Sequence, residues 1–576
     1  MFKTFRTFYG FIFKNKYWFL AFMLVTTFAV GIDLITPYFF KLFVESLQTS
    51  DFKELFRLIL VFTGIQFAGV IFSNLKWLLN DKTAVDVGVN IRATIFKYVQ
   101  DLDFVFHSNK STGAMISTFK RGDNAFWGMF EKIHIKAWEI IVGLVVMVYF
   151  FSNINPIFIT IFMISFVLTL IVTKYLGVKN ITTRRAFNEW DDKISGIVTD
   201  NLISFETVKL FAKEDWELKR LQNTFVDWKK SLWKHFWTYR AIDMTVGTLV
   251  TISISTVLIL SLNLIIKNQI TIGDFVLVAS YINIFFPKLF DLIYNLRDIT
   301  TDYTDIKKYF DLLDNEIKVK DPTHPLKINH VYGDINFDKI SFSYGLKRTN
   351  AIDKINLEVK RGESIALVGR SGSGKTTLVK LLMRFYDVNS GKITLDGHNV
   401  KDFDKSTLRS FIGVVPQEPI LFNNTIGYNI GYGKDNPKLS DIKKAAELAN
   451  IKDFIESLPK KYQTNVGERG IKLSGGQKQR LAIARMILSD PDIIIFDEAT
   501  SQLDSESEKL IQDAFWEASY GKTTFIIAHR LSTVRKADKI VVMEYGKIKE
   551  VGTHKELLAK KNSLYSHFWN LQIKLD

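Results

Sequence analysis

Six long apolar stretches in the first half of the chain constrain its fold more than any single residue: Tyr17 to about Val44, Leu55 to Leu79, Ile135 to Ser152, Pro156 to Leu176, Met244 to Ile266, and Ile272 to Leu296. Each is near or above the roughly 20 residues that a helix needs to cross a hydrocarbon core of about 30 Å. In lipid no water satisfies the backbone, so such stretches span as helices rather than isolated strands. Their connections are unequal. Ser46 to Glu54, Asn153 to Asn155 and Lys267 to Gly273 are short, whereas Asn80 to His134 and Thr173 to Asp243 are long and rich in Lys and Arg. The positive-inside bias places the long loops and both termini in the cytoplasm. Helical patterns inside them, such as Arg184 to Phe211, carry the bundle below the membrane. The formal net charge of +15 therefore reads as cytoplasmic loops against an anionic leaflet, not as a nucleic-acid surface.

Ahead of the first stretch, Phe2, Phe5, Phe8, Ile12 and Phe13 recur at roughly helical spacing among Lys3, Arg6, Lys14 and Lys16. That pattern predicts an amphipathic elbow helix over 1–16, lying at the interface. No small-residue cleavage site follows, which argues against a signal peptide. Asp33 sits inside the first stretch, four residues before Pro37. Two readings stand: an ionisable group at membrane depth that serves function, or a side chain bonded to backbone freed by the proline or to a neighbouring helix. The chain has no cysteine, so disulfides, thiol nucleophiles and cysteine metal sites are excluded from within it.

After Asp314 a polar stretch with two prolines, DNEIKVKDPTHPLKINH, reads as a linker. From Val331 onward, short apolar runs such as SIALVG and IIIF alternate with helical patterns, the signature of an α/β domain with a largely parallel sheet. One run, SIALVGRSGSGKTTLVKLL, joins a strand to a helix through Gly369, Arg370, Ser371, Gly372, Ser373, Gly374, Lys375, Thr376 and Thr377. The glycines let the loop curl so that its N–H groups face phosphate oxygens at a helix N-terminus. Lys375 is placed for the β and γ phosphates and Thr376 for Mg²⁺. A second run, Ile493 to Phe496, ends in Asp497 and Glu498. Asp497 is suited to the Mg²⁺ shell and Glu498 to polarising the attacking water, since phosphoryl transfer needs a positioned nucleophile and charge compensation. In LSGGQKQRLAIARMI, Ser474 caps a helix behind Gly475 and Gly476, with Gln477 next. This is a second anion site in one domain, which makes sense if it closes over nucleotide held by another chain.

With these motifs the chain resembles the ABC transporter family across essentially its whole length. It looks like a half-size exporter with the membrane domain first. The resemblance makes Gly369 to Thr377 the Walker A motif, Ile493 to Glu498 the Walker B motif, and Ser474 to Gln477 the core of the signature. It further implies that Tyr344 stacks on adenine, that Gln417 senses Mg²⁺ and water, that His529 is the switch histidine, and that Asp504 belongs to a loop meeting the partner's P-loop. Gln502 in that loop departs from the small residue more usual there. Thr464 to Gly470 matches an exporter pattern facing the loops of the membrane domain. Asn109 to Met115 and Asn201 to Phe211 look like coupling helices that dock on nucleotide domains.

The expected architecture is an all-α six-helix transmembrane domain over 17–314 with long cytoplasmic extensions, a linker over 315–330, and an α/β P-loop ATPase domain over 331–576. ATP and Mg²⁺ are the implied cofactors. The implied partners are a second copy or a related half-transporter, the bilayer, and a small amphipathic substrate, without nucleic acid. The implied place is a bacterial cytoplasmic membrane, with the nucleotide domain in the cytoplasm. An importer on the exporter fold and an ATP-gated channel are the competing readings. A soluble DNA-associated ATPase fits poorly with six spans.

Overall fold

The computed structural model describes residues 2–110, 112–345, 350–497, 505–527 and 534–573. The chain forms two compact units, Met1–Leu102 with Lys110–Asn315, and Asp103–Asn109 with Glu316–Asp576.

The first unit is helical. Among its described residues, the runs Phe2–Gln48, Phe52–Asp101, Met115–Ile154, Pro156–Ile203 and Glu214–Ile266 are long and apolar enough to cross a membrane. The sixth stretch begins another continuous helix, Ile272–Phe310, which carries Asp274 and Lys288 and is not among those five. At 50 and 53 residues, Phe52–Asp101 and Glu214–Ile266 extend far beyond the length that a bilayer needs. The core of the bundle is made by Leu34, Phe151, Phe158, Phe162, Tyr281 and Phe285, each at most 2% exposed. Pro37 lies inside the helix Lys16–Gln48, where its missing N–H and its ring disturb the hydrogen-bond ladder. The Tyr281 hydroxyl donates to the Leu34 carbonyl at 2.8 Å, so a neighbouring helix supplies a donor to this turn. The charged neighbours of Asp33 are Lys288, Lys76 and Glu139, and Lys76 bonds Glu139 at 3.3 Å.

The elbow helix forms at Phe2–Ile12, and part of its apolar stripe packs against protein. Phe8 and Ile12 are wholly buried and Phe11 nearly so, while Phe2 and Phe13 stay exposed. Phe8 stacks against His134, and Lys3 bonds Asp314 at 2.6 Å. Protein packing therefore takes Phe8 and Ile12 from the face that sequence periodicity assigns to the interface and leaves Phe2 and Phe13 exposed.

Among its described residues the second unit contains two sheets. Strands β1 (Ile335–Phe342), β2 (Ile352–Val359), β4 (Ser390–Leu395) and β5 (His398–Asn399) form an antiparallel sheet in the order β2-β1-β4-β5. Strands β3 (Ser364–Val368), β6 (Ile412–Val415), β7 (Ile493–Asp497), β8 (Thr523–Ile527), β9 (Lys539–Glu544) and β10 (Lys547–Gly552) form the second, in the order β10-β9-β3-β8-β7-β6. Only the β9–β10 pair in it is antiparallel. Its central strands are buried on both faces, which is why they read as unbroken apolar runs rather than as alternation. Alternate side chains supply separate cores: Ala366, Val368, Ile494 and Phe496 on one side, and Ile365, Leu367, Ile493 and Ile495 on the other.

Candidate functional site

The phosphate-binding loop leaves β3 and enters the helix Lys375–Leu382, as its sequence pattern predicts. Gly369, Gly372 and Gly374 have φ of 155°, 78° and 106°, values that side-chain-bearing residues adopt at a cost. At Gly374 a Cβ would come 2.8 Å from the Ala351 carbonyl oxygen, and at Gly369 it would be driven into that of Met543. Gly369→Ala is therefore expected to cost about 3 kcal/mol or more of stability in the nucleotide unit and to abolish nucleotide binding. A thermal-shift titration with ATP checks both effects.

The chemistry of this loop fits an oligophosphate. Lys375 is 5% exposed, and its ammonium donates to the carbonyls of Gly369 at 2.7 Å and Arg370 at 3.2 Å. Ser373 is 4% exposed, and its buried hydroxyl finds no hydrogen-bond partner among the described residues. Arg370, Ser371 and Thr376 are exposed, so the Thr376 hydroxyl is open at the first helical turn. Thr377 is buried and shares a 3.1 Å hydrogen bond with the Tyr344 hydroxyl. The Tyr344 ring meets Phe342 and Tyr386 edge-on, at centroid distances of 4.9 and 5.2 Å. The structure thus brings Tyr344 beside the phosphate loop.

Asp497 closes β7, two strands from β3 in the sheet, and is half-buried. Glu498, Gln502, Asp504 and His529 lie outside the described residues. Ser474 caps the helix Gly475–Ser489 with a capping box, accepting from the Gln477 N–H at 3.3 Å while the Gln477 side chain accepts from the Ser474 N–H at 2.9 Å. Ser474 and Gly475 are exposed, whereas Gly476 is buried.

Two residues of this helix have roles that the sequence reading missed. The Gln479 amide donates to the Gln417 carbonyl at 3.1 Å, tying the loop that carries exposed Gln417 to the serine-capped helix. Arg485 donates through Nε to the Asn429 carbonyl at 2.7 Å and through Nη2 to the Asn429 side chain at 3.0 Å. Burial lowers the Arg485 pKa, opposed by the nearby Tyr432 hydroxyl. The available signal was a glutamine and an arginine flanking the apolar run Leu481 to Ala484 of this helix. Of the expected coupling segments, Asn109–Met115 is not one element. A short helix, Phe104–Asn109, ends there, and a new one starts at Thr112. Asn201–Phe211 contains the short helix Phe205–Leu210 after the end of Pro156–Ile203.

A helical membrane domain followed by a P-loop domain with a serine-capped helix that opens on a glycine pair defines an ABC-type transporter. The family description "ABC transporter" matches residues 352–501, and "ABC transporter transmembrane region" matches 19–289. A relative from Dictyostelium discoideum, "ABC transporter B family member 6", is 35% identical over 97% of this chain and 85% of its own length. The "Putative multidrug export ATP-binding/permease protein" of Staphylococcus aureus is 33% identical over 98% of both chains. The "ATP-binding cassette sub-family B member 6" of Mesocricetus auratus is 36% identical over 87% of this chain, which spans 60% of that protein's length. A solved bacterial Atm1-family ABC exporter with ATP bound has a TM-score of 0.86 and 30% identity, covering 97% of this chain and 98% of its own. The chain belongs to the ABC transporter family. It is a multi-pass membrane protein, an ATP-binding, ATP-hydrolysing half-transporter with the exporter fold.

Proposed function

We propose that this chain works as a homodimeric exporter in a bacterial cytoplasmic membrane, moving an amphipathic, lipid-like or drug-like substrate, with each ATP clasped between two copies. One observation carries the reading. Ser474 and Gly475 form an exposed anion-binding helix terminus in a domain that already has a phosphate loop. A single ATP on one chain has no use for both, whereas two copies placed head to tail use every one. The name of the Staphylococcus aureus relative supports export.

In the closed dimer, Lys375 grips the β and γ phosphates and Tyr344 stacks on adenine. Thr376, Asp497 and Gln417 are oxygen donors suited to Mg²⁺, which when bound compensates phosphate charge. Glu498 orients and polarises the attacking water, and His529 steadies the transferred phosphoryl group from the other side. Asp504 and Gln502 lie on the loop that meets the other copy's P-loop. ATP binding closes the nucleotide domains and turns the joined bundle outward, and hydrolysis resets it.

Shared sites make a sharp expectation for mixed dimers. Chains with Lys375→Ala and chains with Ser474→Arg should each be inactive as homodimers. Mixed together, they leave one site with an intact lysine and an intact serine. Vanadate trapping of one nucleotide per mixed dimer is the expected result; trapping absent from the mixture would sink the shared site. Uptake assays in inverted and right-side-out vesicles separate export from import.

A further inference from the structure

The polypeptide passes between the two units at Leu102/Asp103, Asn109/Lys110 and Asn315/Glu316. The first and last of these passages are tied together on both sides of the border. Within the helical unit, the Tyr98 hydroxyl donates to the Asn315 carbonyl at 2.7 Å. Within the nucleotide unit, the Asp103 carboxylate accepts the backbone N–H of Lys318 at 2.6 Å and that of Val319 at 3.2 Å. Hydrogen bonds to an ionised acceptor are about twice as strong as neutral ones, so Asp103 is the stronger half of this clasp.

The polar stretch expected to be a linker is held along its length. The Val319 carbonyl accepts Lys405 Nζ at 2.9 Å, and the Lys320 carbonyl accepts Arg384 Nη2 at 2.7 Å. Arg384 is 3% exposed and lies two residues beyond the end of the phosphate-loop helix. Beside Asp103, the Phe104 ring stacks on Phe385 at 5.0 Å, and Lys380, on the phosphate-loop helix itself, lies 5.1 Å from the Phe104 centroid. The phosphate-loop helix and the residues that directly follow it therefore hold both passages, the linker through Arg384 and the Phe104 segment through Lys380 and Phe385, and Asp103 binds the two passages to each other.

Resting on the transporter reading above, we propose that Asp103 is a positioning residue that locks the two passages into one mechanical element, so that movement of the phosphate-loop helix reaches Phe52–Asp101 and Ile272–Phe310 together. Loss of the carboxylate leaves each passage attached to the nucleotide unit but lets them move separately. ATP is then hydrolysed without full movement of the membrane helices.

The absence of cysteine makes the test direct. A spin label at Ser50→Cys, in the short loop between the first two spans, reports one distance between the two copies of a reconstituted full-length dimer. ATPase rate and label distance after vanadate trapping are measured in this parent, in Asp103→Ala, and in Asp103→Asn, which keeps one acceptor oxygen. In Asp103→Ala the ATPase rate should stay within about twofold of the parent, while the ratio of moved to unmoved labels falls about 3- to 30-fold, with Asp103→Asn between. Label movement equal to the parent's overturns the clasp, as does a parallel loss of ATPase and movement, which marks a merely structural residue. A parent whose labels do not move under vanadate overturns the transport cycle and the clasp with it.

Discussion

Glu498→Gln should leave ATP binding intact and lower the ATPase rate by about 10²- to 10⁴-fold, the range associated with a positioned general base. Glutamine keeps the size and one acceptor oxygen of the side chain but cannot take a proton. The phosphate loop is untouched, so the nucleotide stays bound and the dimer stays closed around it. Equilibrium binding of labelled ATP, read beside phosphate release, separates the two effects. A purified variant that hydrolyses at the parent's rate would reassign the base.

Lys375→Ala should fail one step earlier. The ammonium is buried against the Gly369 and Arg370 carbonyls, and in the nucleotide complex it exchanges these neutral acceptors for phosphate oxygens. Charge-assisted hydrogen bonds contribute about 1.5–3 kcal/mol each, so losing those to two phosphates should weaken ATP binding about 100-fold or more. Hydrolysis at saturating ATP should fall as well, because the same charge compensates the transferring phosphoryl group. Calorimetric titration reads the affinity, and unchanged binding would remove Lys375 from the phosphate site. The two variants differ in kind: one holds ATP without turning it over, the other does not hold it.

The phosphate loop and the serine cap were legible because they are local. The strand, glycine loop and helix around Lys375 occupy one continuous run, and the capping box links Ser474 to a residue only three positions on. Gln479 was not legible, since its amide meets the Gln417 carbonyl 62 residues away. The sequence pattern points to Asn109–Met115 as one helix, whereas the helix that packs within the nucleotide unit starts earlier, at Phe104, where an aromatic ring finds Phe385.

The positions of the apolar spans, the doubly buried strands and the phosphate loop are written in the sequence, because periodicity, run length and backbone freedom act among neighbours along the chain; the apolar helices themselves run on well past those spans. Only the tertiary structure decided which faces meet. It turned Phe8 and Ile12 of the elbow helix into protein core, brought Tyr281 to the Leu34 carbonyl 247 residues away, and set Asp103 on the backbone of Lys318 and Val319. The physical reason is common to all three. A hydrogen bond or an apolar contact between distant segments is decided by how whole helices pack, and one-dimensional spacing carries no record of that choice.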